Sequence, residues 1–402
     1  MHALSVVIPA YNEENGISDI VDRVLSVKEP LAEAGVPEME LIVVDDGSRD
    51  RTAEIVAGYP SVRLIRHATN KGYGAALKTG FSNATGNLLA FLDADGTYPP
   101  EFFPKLCRVA IEQEADLVIG SRMAGEDSEM PATRRIGNFF FANLISLISN
   151  HRISDSSSGM RVLRREVLPA LYPLPDGLNF TPVMSTRALH EGLNMVEVPI
   201  TYSERVGRSK LSVVRDGTRF LNSIIWTAMN YNPVRILGGI GAAAITLAAS
   251  IAVILVVMRL QGITTLGPWG IFGFFAAGAG LVSGVSVFSL GATFNYLVSL
   301  FHKRPIRQGL LGRPVFRTPL EKHFGWVGLL ALVGGSLLGV VALILGLTGW
   351  DISRLWFWMV SSVMTVLVGL QLVISWFIMQ VLAELSQREE LVEGDLNGYP
   401  TK

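Results

Sequence analysis

Apolar residues follow two regimes along this chain. Up to about residue 230 they come in short runs such as SVVI, LIVV, LLAFL and LVI, each closed by Pro, Gly, Asn or Asp. Between the runs, apolar residues recur three and four apart. That pattern predicts strands at residues 5–8, 40–44, 62–65, 88–92 and 116–119, with helices near 14–27, 71–84, 101–112 and 134–149; the alternation implies a doubly wound α/β sheet. Beyond Asn230 the runs lengthen. Residues 236–258, 269–301, 324–350 and 355–383 carry almost no charge, and each exceeds the roughly 20 residues that a spanning helix needs. Four transmembrane helices are predicted, since buried helices of a soluble core explain one such run but hardly four in succession.

Composition agrees. The 402 residues are 49% hydrophobic with a mean hydropathy of +0.38, too apolar for an ordinary soluble domain. The connection after the second span holds Lys303, Arg304, Arg307, Arg313, Arg317 and Lys322, whereas the other two hold only Arg259 and Arg354. Basic loops stay in the cytosol, so this linker, the N-terminal half and the tail are expected on that side. Trp269, Trp326, Trp350 and Trp356 fall near span ends, as interfacial anchors do, and Gly280 with Gly284 and Gly335 with Gly339 allow close helix approach. A net charge of −1 without basic blocks away from the membrane points to no nucleic-acid partner. The single cysteine, Cys107, excludes an intrachain disulfide. No signal peptide is expected, because MHALSVVIPAYNEE enters a strand almost at once.

Chemistry gathers where strands end. PAYNEE, DDGSRD, DADGTYPP and GSR all fall beyond carboxyl ends of predicted strands, the edge where open α/β sheets bind ligands. Glu13, Asp45, Asp46, Asp93, Asp95 and Arg122 therefore share one surface. Asp93 and Asp95, one residue apart in a turn, suit Mg²⁺ or Mn²⁺, directly or through a ligand phosphate; an isolated Asp-x-Asp also reads as ordinary turn residues. In VVDDGSRD, Ser48 or Asp50 serves to cap the helix starting near Thr52, leaving Asp45 or Asp46 to accept hydrogen bonds from a base or ribose. Gly72 and Gly74 in NKGYGAALKTG lie at a helix start, with room for a phosphate. Neither a Walker loop nor a GxGxxG follows a strand, and the histidines and Cys107 lack zinc-ligand spacing.

SVVIPAYNEE, LIVVDDGSRD, LLAFLDADGTYPP, IGSR and YSERVGRSKLS, in that order and followed by membrane spans, resemble family 2 glycosyltransferases of the polyprenyl-phosphate type, the group that includes dolichyl-phosphate mannose synthases. The resemblance covers about residues 4–230. It implies an α/β GT-A (Rossmann-like) domain and inverting transfer of one sugar from a nucleoside diphosphate to a polyprenyl phosphate. By the same resemblance Pro9, Tyr11 and Glu13 with Asp45 or Asp46 match the nucleoside pocket, and Asp93 and Asp95 match the metal-diphosphate motif. Asp155 in DSSSGMR matches an acidic residue important in the family, with Asp95 and Arg122 at the reacting centre. Arg122, Arg134, Arg205, Ser209 and Lys210 are expected at phosphate groups, the acceptor's above all. Two departures stand out. Thr97 occupies a position where related synthases often have Gln, and RVGRSK is shorter than usual, leaving Arg205 or Arg208 to hold the phosphate.

The organisation expected is a cytosolic catalytic domain (1–210), a juxtamembrane helix (211–233), a four-helix membrane domain (234–385) with a basic linker (302–323), and a cytosolic tail (386–402). The segment LSVVRDGTRFLNSIIWTAMNYNP reads either as a helix in the headgroup plane, with Trp226 at the interface, or as an amphipathic helix packed on the soluble domain. Expected partners are a nucleotide sugar, a polyprenyl-phosphate lipid and the cytoplasmic membrane; a homo-oligomer is compatible with the chain. Mannose, glucose and N-acetylglucosamine remain open. Two other functions are weighed: a processive polysaccharide synthase, whose QxxRW signature is absent, and a noncatalytic nucleotide-sugar sensor. Charges inside the spans would favour transport, and there are almost none.

Overall fold

The computed structural model describes residues 2–123, 130–149, 151–203, 213–263, 267–302, 320–350 and 352–397. The chain divides into two compact units, Met1–Ala228 and Met229–Lys402. Arg205, Arg208, Ser209 and Lys210 lie outside the described residues, as do Lys303, Arg304, Arg307, Arg313 and Arg317 of the basic linker.

Among the described residues of the first unit, β1 (Ala3–Ala10), β2 (Glu38–Asp45), β3 (Val62–Arg66), β4 (Leu88–Phe91), β5 (Leu117–Ser121), β6 (Arg161–Arg164) and β7 (Met195–Pro199) form one sheet. Its order is β3-β2-β1-β4-β6-β5-β7. Hydrophobic runs become the central strands because both faces are covered: β1, β2, β4 and β5 are buried over most of their lengths. The helices are α1 (Ile17–Ser26), α2 (Lys28–Glu33), α3 (Thr52–Ala57), α4 (Tyr73–Asn83), α5 (Phe103–Glu112), α6 (Ala132–Ser149), α7 (Leu168–Leu171), α8 (Phe180–Glu191) and α9 (Val213–Met229). In α1, Ile17, Ile20, Val21 and Val24 are buried, and in α5 Phe103, Leu106, Cys107 and Ala110 repeat that spacing. Both helices thus lay one stripe against the core.

The sheet is mixed. β6 runs antiparallel between β4 and β5, with Arg161 opposite both Phe91 and Ile119. Its first residue therefore emerges at the edge where the parallel strands end. β6 and β7 are the two strands that the sequence pattern did not predict; both are short, and RVLR and MVEVP alternate too little to declare a strand.

The second unit comprises α10 (Pro233–Leu260), α11 (Pro268–His302), α12 (Phe324–Leu347) and α13 (Ile352–Asn397). Four stretches, Pro233–Met258, Pro268–Phe301, Phe324–Leu347 and Leu355–Leu385, are long and apolar enough to cross a membrane. Small residues set their contacts. A Cβ on Gly284 would lie 2.9 Å from the Gly241 carbonyl oxygen, and one on Gly335 would lie 3.0 Å from the Val366 nitrogen. Between α13 and α11, Gln371 Nε2 donates to Ser286 Oγ. The last helix continues to Asn397, into the segment expected as a tail.

Candidate active site

Several loops meet at the carboxyl edge. After β1 the chain turns through Asn12, at φ 51°, and is stitched to the loop after β2. Ser48 Oγ accepts the Asn12 N–H (2.9 Å), Thr52 Oγ1 that of Glu13 (2.8 Å) and Asp50 Oδ2 that of Glu14 (3.1 Å), while Asn12 Oδ1 accepts the Arg49 N–H (2.9 Å). Asp50 Oδ1 also takes the Thr52 N–H at the start of α3 (3.0 Å). In register, Pro9 faces Val44 and Ala10 faces Asp45, so Pro9, Tyr11, Glu13, Asp45 and Asp46 come to one corner.

The two neighbouring aspartates have different partners. Asp45 Oδ1 accepts the Ser48 N–H (3.1 Å), and Arg66 Nε stands 3.7 Å from Oδ2. Asp46 turns inward: its Oδ1 meets His67 Nδ1 (2.7 Å) and the Lys71 N–H (2.9 Å), and its Oδ2 accepts the Gly72 N–H (2.8 Å). Asp46 thereby anchors the loop between β3 and α4. The expectation of a phosphate at the start of α4 is overturned. The N–H groups of Gly74 and Ala75 both donate to the Asp176 carbonyl oxygen (2.7 and 3.2 Å), and a Cβ on Gly74 would stand 2.1 Å from the Pro175 oxygen. These glycines admit a neighbouring loop, which occupies the helix terminus in place of a ligand.

Beyond β4 the two acidic residues are held by different means. Tyr73 Oη donates to Asp93 Oδ1 (2.8 Å); burial first, and then the charge of Asp93, pushes the phenol well above its ordinary pKa, so it keeps its proton. Asp95 Oδ1 accepts both the N–H (3.2 Å) and the hydroxyl (2.6 Å) of Thr97. Thr97, itself buried, orients Asp95 through a tight turn. Among the described residues no group of three or more His, Cys, Asp or Glu converges on one point. A pair of carboxylates one residue apart fits Mg²⁺ or Mn²⁺, which keeps waters and shares substrate phosphates instead of demanding a protein cage.

On the other side of β6, Arg122 at the end of β5 grips Asp155. Its Nε and Nη2 donate to Oδ2 and Oδ1 (2.7 and 2.8 Å), and its backbone N–H adds a third bond to Oδ2 (3.0 Å). The guanidinium carbon lies 5.6 Å from the ring centroids of both Tyr98 and Tyr202. Arg134, on α6, donates from Nη1 to Tyr202 Oη (3.1 Å). Burial alone would raise the Asp155 carboxyl, but Arg122 outweighs it and holds the pKa below the usual carboxylate range; against the same burial, Asp155 raises that of Arg122.

Arg161 was missed in the sequence, although it ends the DSSSGMR run. Fully buried, it donates to the carbonyls of Ser158 (Nε, 3.1 Å) and Ser156 (Nη2, 2.8 Å), while its Nη1 has no hydrogen-bond partner. Burial lowers its pKa to about 10, still above neutrality, so it remains a cation behind Asp155. The loop it ties down ends beside Asp93: a Cβ on Gly159 would come within 2.4 Å of Asp93 Oδ2. Tyr73, Tyr98 and Tyr202 were likewise missed, since aromatic residues near turns carry no signal of the carboxylate or guanidinium they will meet.

A mixed sheet with carboxylates and buried guanidinium groups along one edge, followed by four helices long and apolar enough to cross a membrane, is the architecture of a GT-A (Rossmann-like) domain joined to a helical unit. Residues 5–171 match glycosyl transferase family 2, and residues 233–393 match a domain of unknown function, DUF8752. The undecaprenyl-phosphate 4-deoxy-4-formamido-L-arabinose transferase of Edwardsiella ictaluri is 31% identical over 283 residues, 68% of this chain and 82% of that protein. The chain belongs to glycosyltransferase family 2. It is also 33% identical over 231 residues to the low-salt glycan biosynthesis hexosyltransferase Agl6 of Haloferax volcanii, spanning 57% of this chain and 54%, about half, of that protein. Glucosyl-3-phosphoglycerate synthase from Mycobacterium tuberculosis, solved with Mn²⁺, uridine diphosphate and glucosyl-3-phosphoglycerate, aligns with a TM-score of 0.47 at 20% identity, covering 56% of this chain and 80% of that one.

Proposed function

We propose that the chain transfers a single sugar from a nucleoside-diphosphate sugar to a polyprenyl phosphate at the cytosolic face of the membrane, with inversion at the anomeric carbon. The observation that carries this reading is the Arg122–Asp155 pair: a guanidinium fixed on a fully buried carboxylate, at the same sheet edge as Asp93 and Asp95. Arg122 spends Nε and Nη2 on Asp155 and is flanked by two aromatic rings, an arrangement suited to an incoming phosphate. The polyprenyl-phosphate acceptor is further supported by the name of the Edwardsiella relative.

The chemistry needs no strong base. A phosphate monoester is ionised near neutral pH, so its oxygen attacks the anomeric carbon directly as the bond to the diphosphate oxygen breaks on the opposite face. What the protein supplies is position and charge. Asp155, kept ionised by Arg122, is a poor proton acceptor and acts by orienting the guanidinium. Pro9, Tyr11, Glu13 and Asp45 form the nucleoside corner, and Arg134 extends the basic side through Tyr202. Asp93 and Asp95 would hold a divalent cation which, when bound, neutralises charge on the diphosphate. Arg205, Ser209 and Lys210, which lie outside the described residues, are assigned to the acceptor phosphate in this proposal on their sequence motif alone.

Lipid access is supported by α6 and α9. They meet through Phe141 and Phe220 (5.9 Å between centroids), and both leave large apolar residues exposed: Ile136, Phe139, Phe140 and Leu147 on α6, Val214 and Trp226 on α9. We assign both helices to the headgroup layer.

The test is transfer of radiolabelled sugar from GDP-mannose, UDP-glucose and UDP-N-acetylglucosamine to polyprenyl phosphate by the purified protein, with and without Mg²⁺ or Mn²⁺. One donor should give a metal-dependent, organic-extractable product. Nucleotide binding without lipid product from any donor would replace this reading with a sensing role.

A further inference from the structure

Glu197 belongs to β7, opposite Ile119 of β5, in a strand to which no sequence motif assigned chemistry. Its carboxylate is nevertheless engaged by the loop that carries Asp155. Oε1 accepts the N–H groups of Ser154 (3.1 Å) and Asp155 (2.8 Å), and Oε2 accepts that of Ser154 (2.9 Å). A carboxylate that accepts from two successive amides fixes the peptide between them, and with it the direction in which the Asp155 side chain leaves the backbone.

That direction matters because of what Asp155 does next. Its side chain is fully buried; both oxygens accept from Arg122, and Oδ1 also accepts the Ser157 N–H (3.2 Å), so a rotation at Asp155 swings the guanidinium. The same chain segment then delivers Tyr202, whose ring flanks Arg122. Strand β7 and the residues after it thus hold the Arg122–Asp155 pair from the backbone side and from the aromatic side.

We propose that Glu197 is a positioning residue for acceptor binding: through the amides of Ser154 and Asp155 it sets Asp155, and through Asp155 it aims Arg122 at the lipid phosphate. This rests on the transfer function proposed above. A carboxylate that merely satisfied two amides would affect donor and acceptor handling alike; a positioning residue acts on the acceptor side.

The experiment is a double-mutant cycle on the full-length protein, comparing wild type, Glu197→Gln, Asp155→Asn and the double variant. Steady-state kinetics are measured with polyprenyl phosphate and donor varied separately, and affinity for the free nucleoside diphosphate by calorimetry. Glu197→Gln should lower kcat/KM for the lipid phosphate roughly 10- to 100-fold, by analogy with the loss of hydrogen-bonded partners behind metal ligands, with nucleotide affinity unchanged. The double variant should lose no more than Asp155→Asn alone, as expected when two residues act through one another. Additive losses, or equal losses of nucleotide affinity and lipid kinetics, would overturn the proposal. If Glu197→Gln does not fold, the shortened carboxylate of Glu197→Asp should give the same split at smaller amplitude, and an even loss in that variant counts against the idea. A wild-type protein that forms no lipid product overturns the transfer reading itself, and this inference with it.

Discussion

Asp155 illustrates how much a single side chain's role depends on its neighbours. It is fully buried and bound by Arg122 through the side chain and the backbone, and its pKa is depressed. A depressed carboxyl contributes stability above its unfolded value, near 3.9, and loses it as the pH falls through the folded value. Wild-type protein should therefore lose stability below about pH 4 by an increment that Asp155→Asn lacks, as measured by denaturant unfolding across pH. Asp155→Ala, which strands the Arg122 charge, should cost about 3 kcal/mol. At Gly159 the constraint is distance: a methyl group would fall 2.4 Å from Asp93 Oδ2. Gly159→Ala should push Asp93 aside and lower transfer at least as much as it raises the Mg²⁺ or Mn²⁺ concentration needed for half-maximal activity. Unchanged metal dependence would argue against Asp93 as a ligand. At this scale Asp93, Asp95 and Arg122 could be placed at strand ends from the sequence, because charged loop residues after apolar runs are conspicuous, whereas Asp155 was reached only through the family resemblance. Their partners could not be placed, because Tyr73, Arg161 and Glu197 look like ordinary turn or strand residues until the chain folds.

Among the elements, the start of α4 shows how a local pattern misleads. Two glycines at a helix N-terminus look like an anion site, yet their close approach serves the loop at Pro175 and Asp176, whose carbonyl oxygen takes the helix amides. Gly74→Ala should therefore destabilise the first unit by about 2 kcal/mol or more, through overpacking against that backbone and Phe180, measured as a lower denaturation midpoint with nucleotide affinity per folded molecule retained. A change in nucleotide affinity alone, at constant stability, would restore the anion-site reading. Strand β6 carries the complementary lesson. Four residues rich in arginine give no strand signal, but the insertion of β6 antiparallel between β4 and β5 brings Arg161 to the edge where the parallel strands end.

Across the whole molecule, the two units follow different physical rules. In the first, a covered sheet leaves α6 and α9 with exposed aromatic and aliphatic residues; in the second, apolar residues face outward along four helices while glycines mediate the contacts. If α6 and α9 lie in the headgroup layer, Phe139→Ser with Phe140→Ser should reduce transfer to a long polyprenyl phosphate in bilayers while sparing transfer to a short, water-soluble prenyl phosphate. Equal effects on both acceptors would place those residues in folding and not at the lipid surface. The α/β alternation, the four long apolar runs and the pairing of Asp93 with Asp95 were determined by the sequence alone, since periodicity, run length and one-residue spacing are properties of neighbours along the chain. Only the tertiary structure decided that Arg122 meets Asp155 across 33 residues, that Arg161 lies behind them and that Glu197 holds the connecting loop. Such contacts follow from strand order and direction, which no short stretch of sequence encodes.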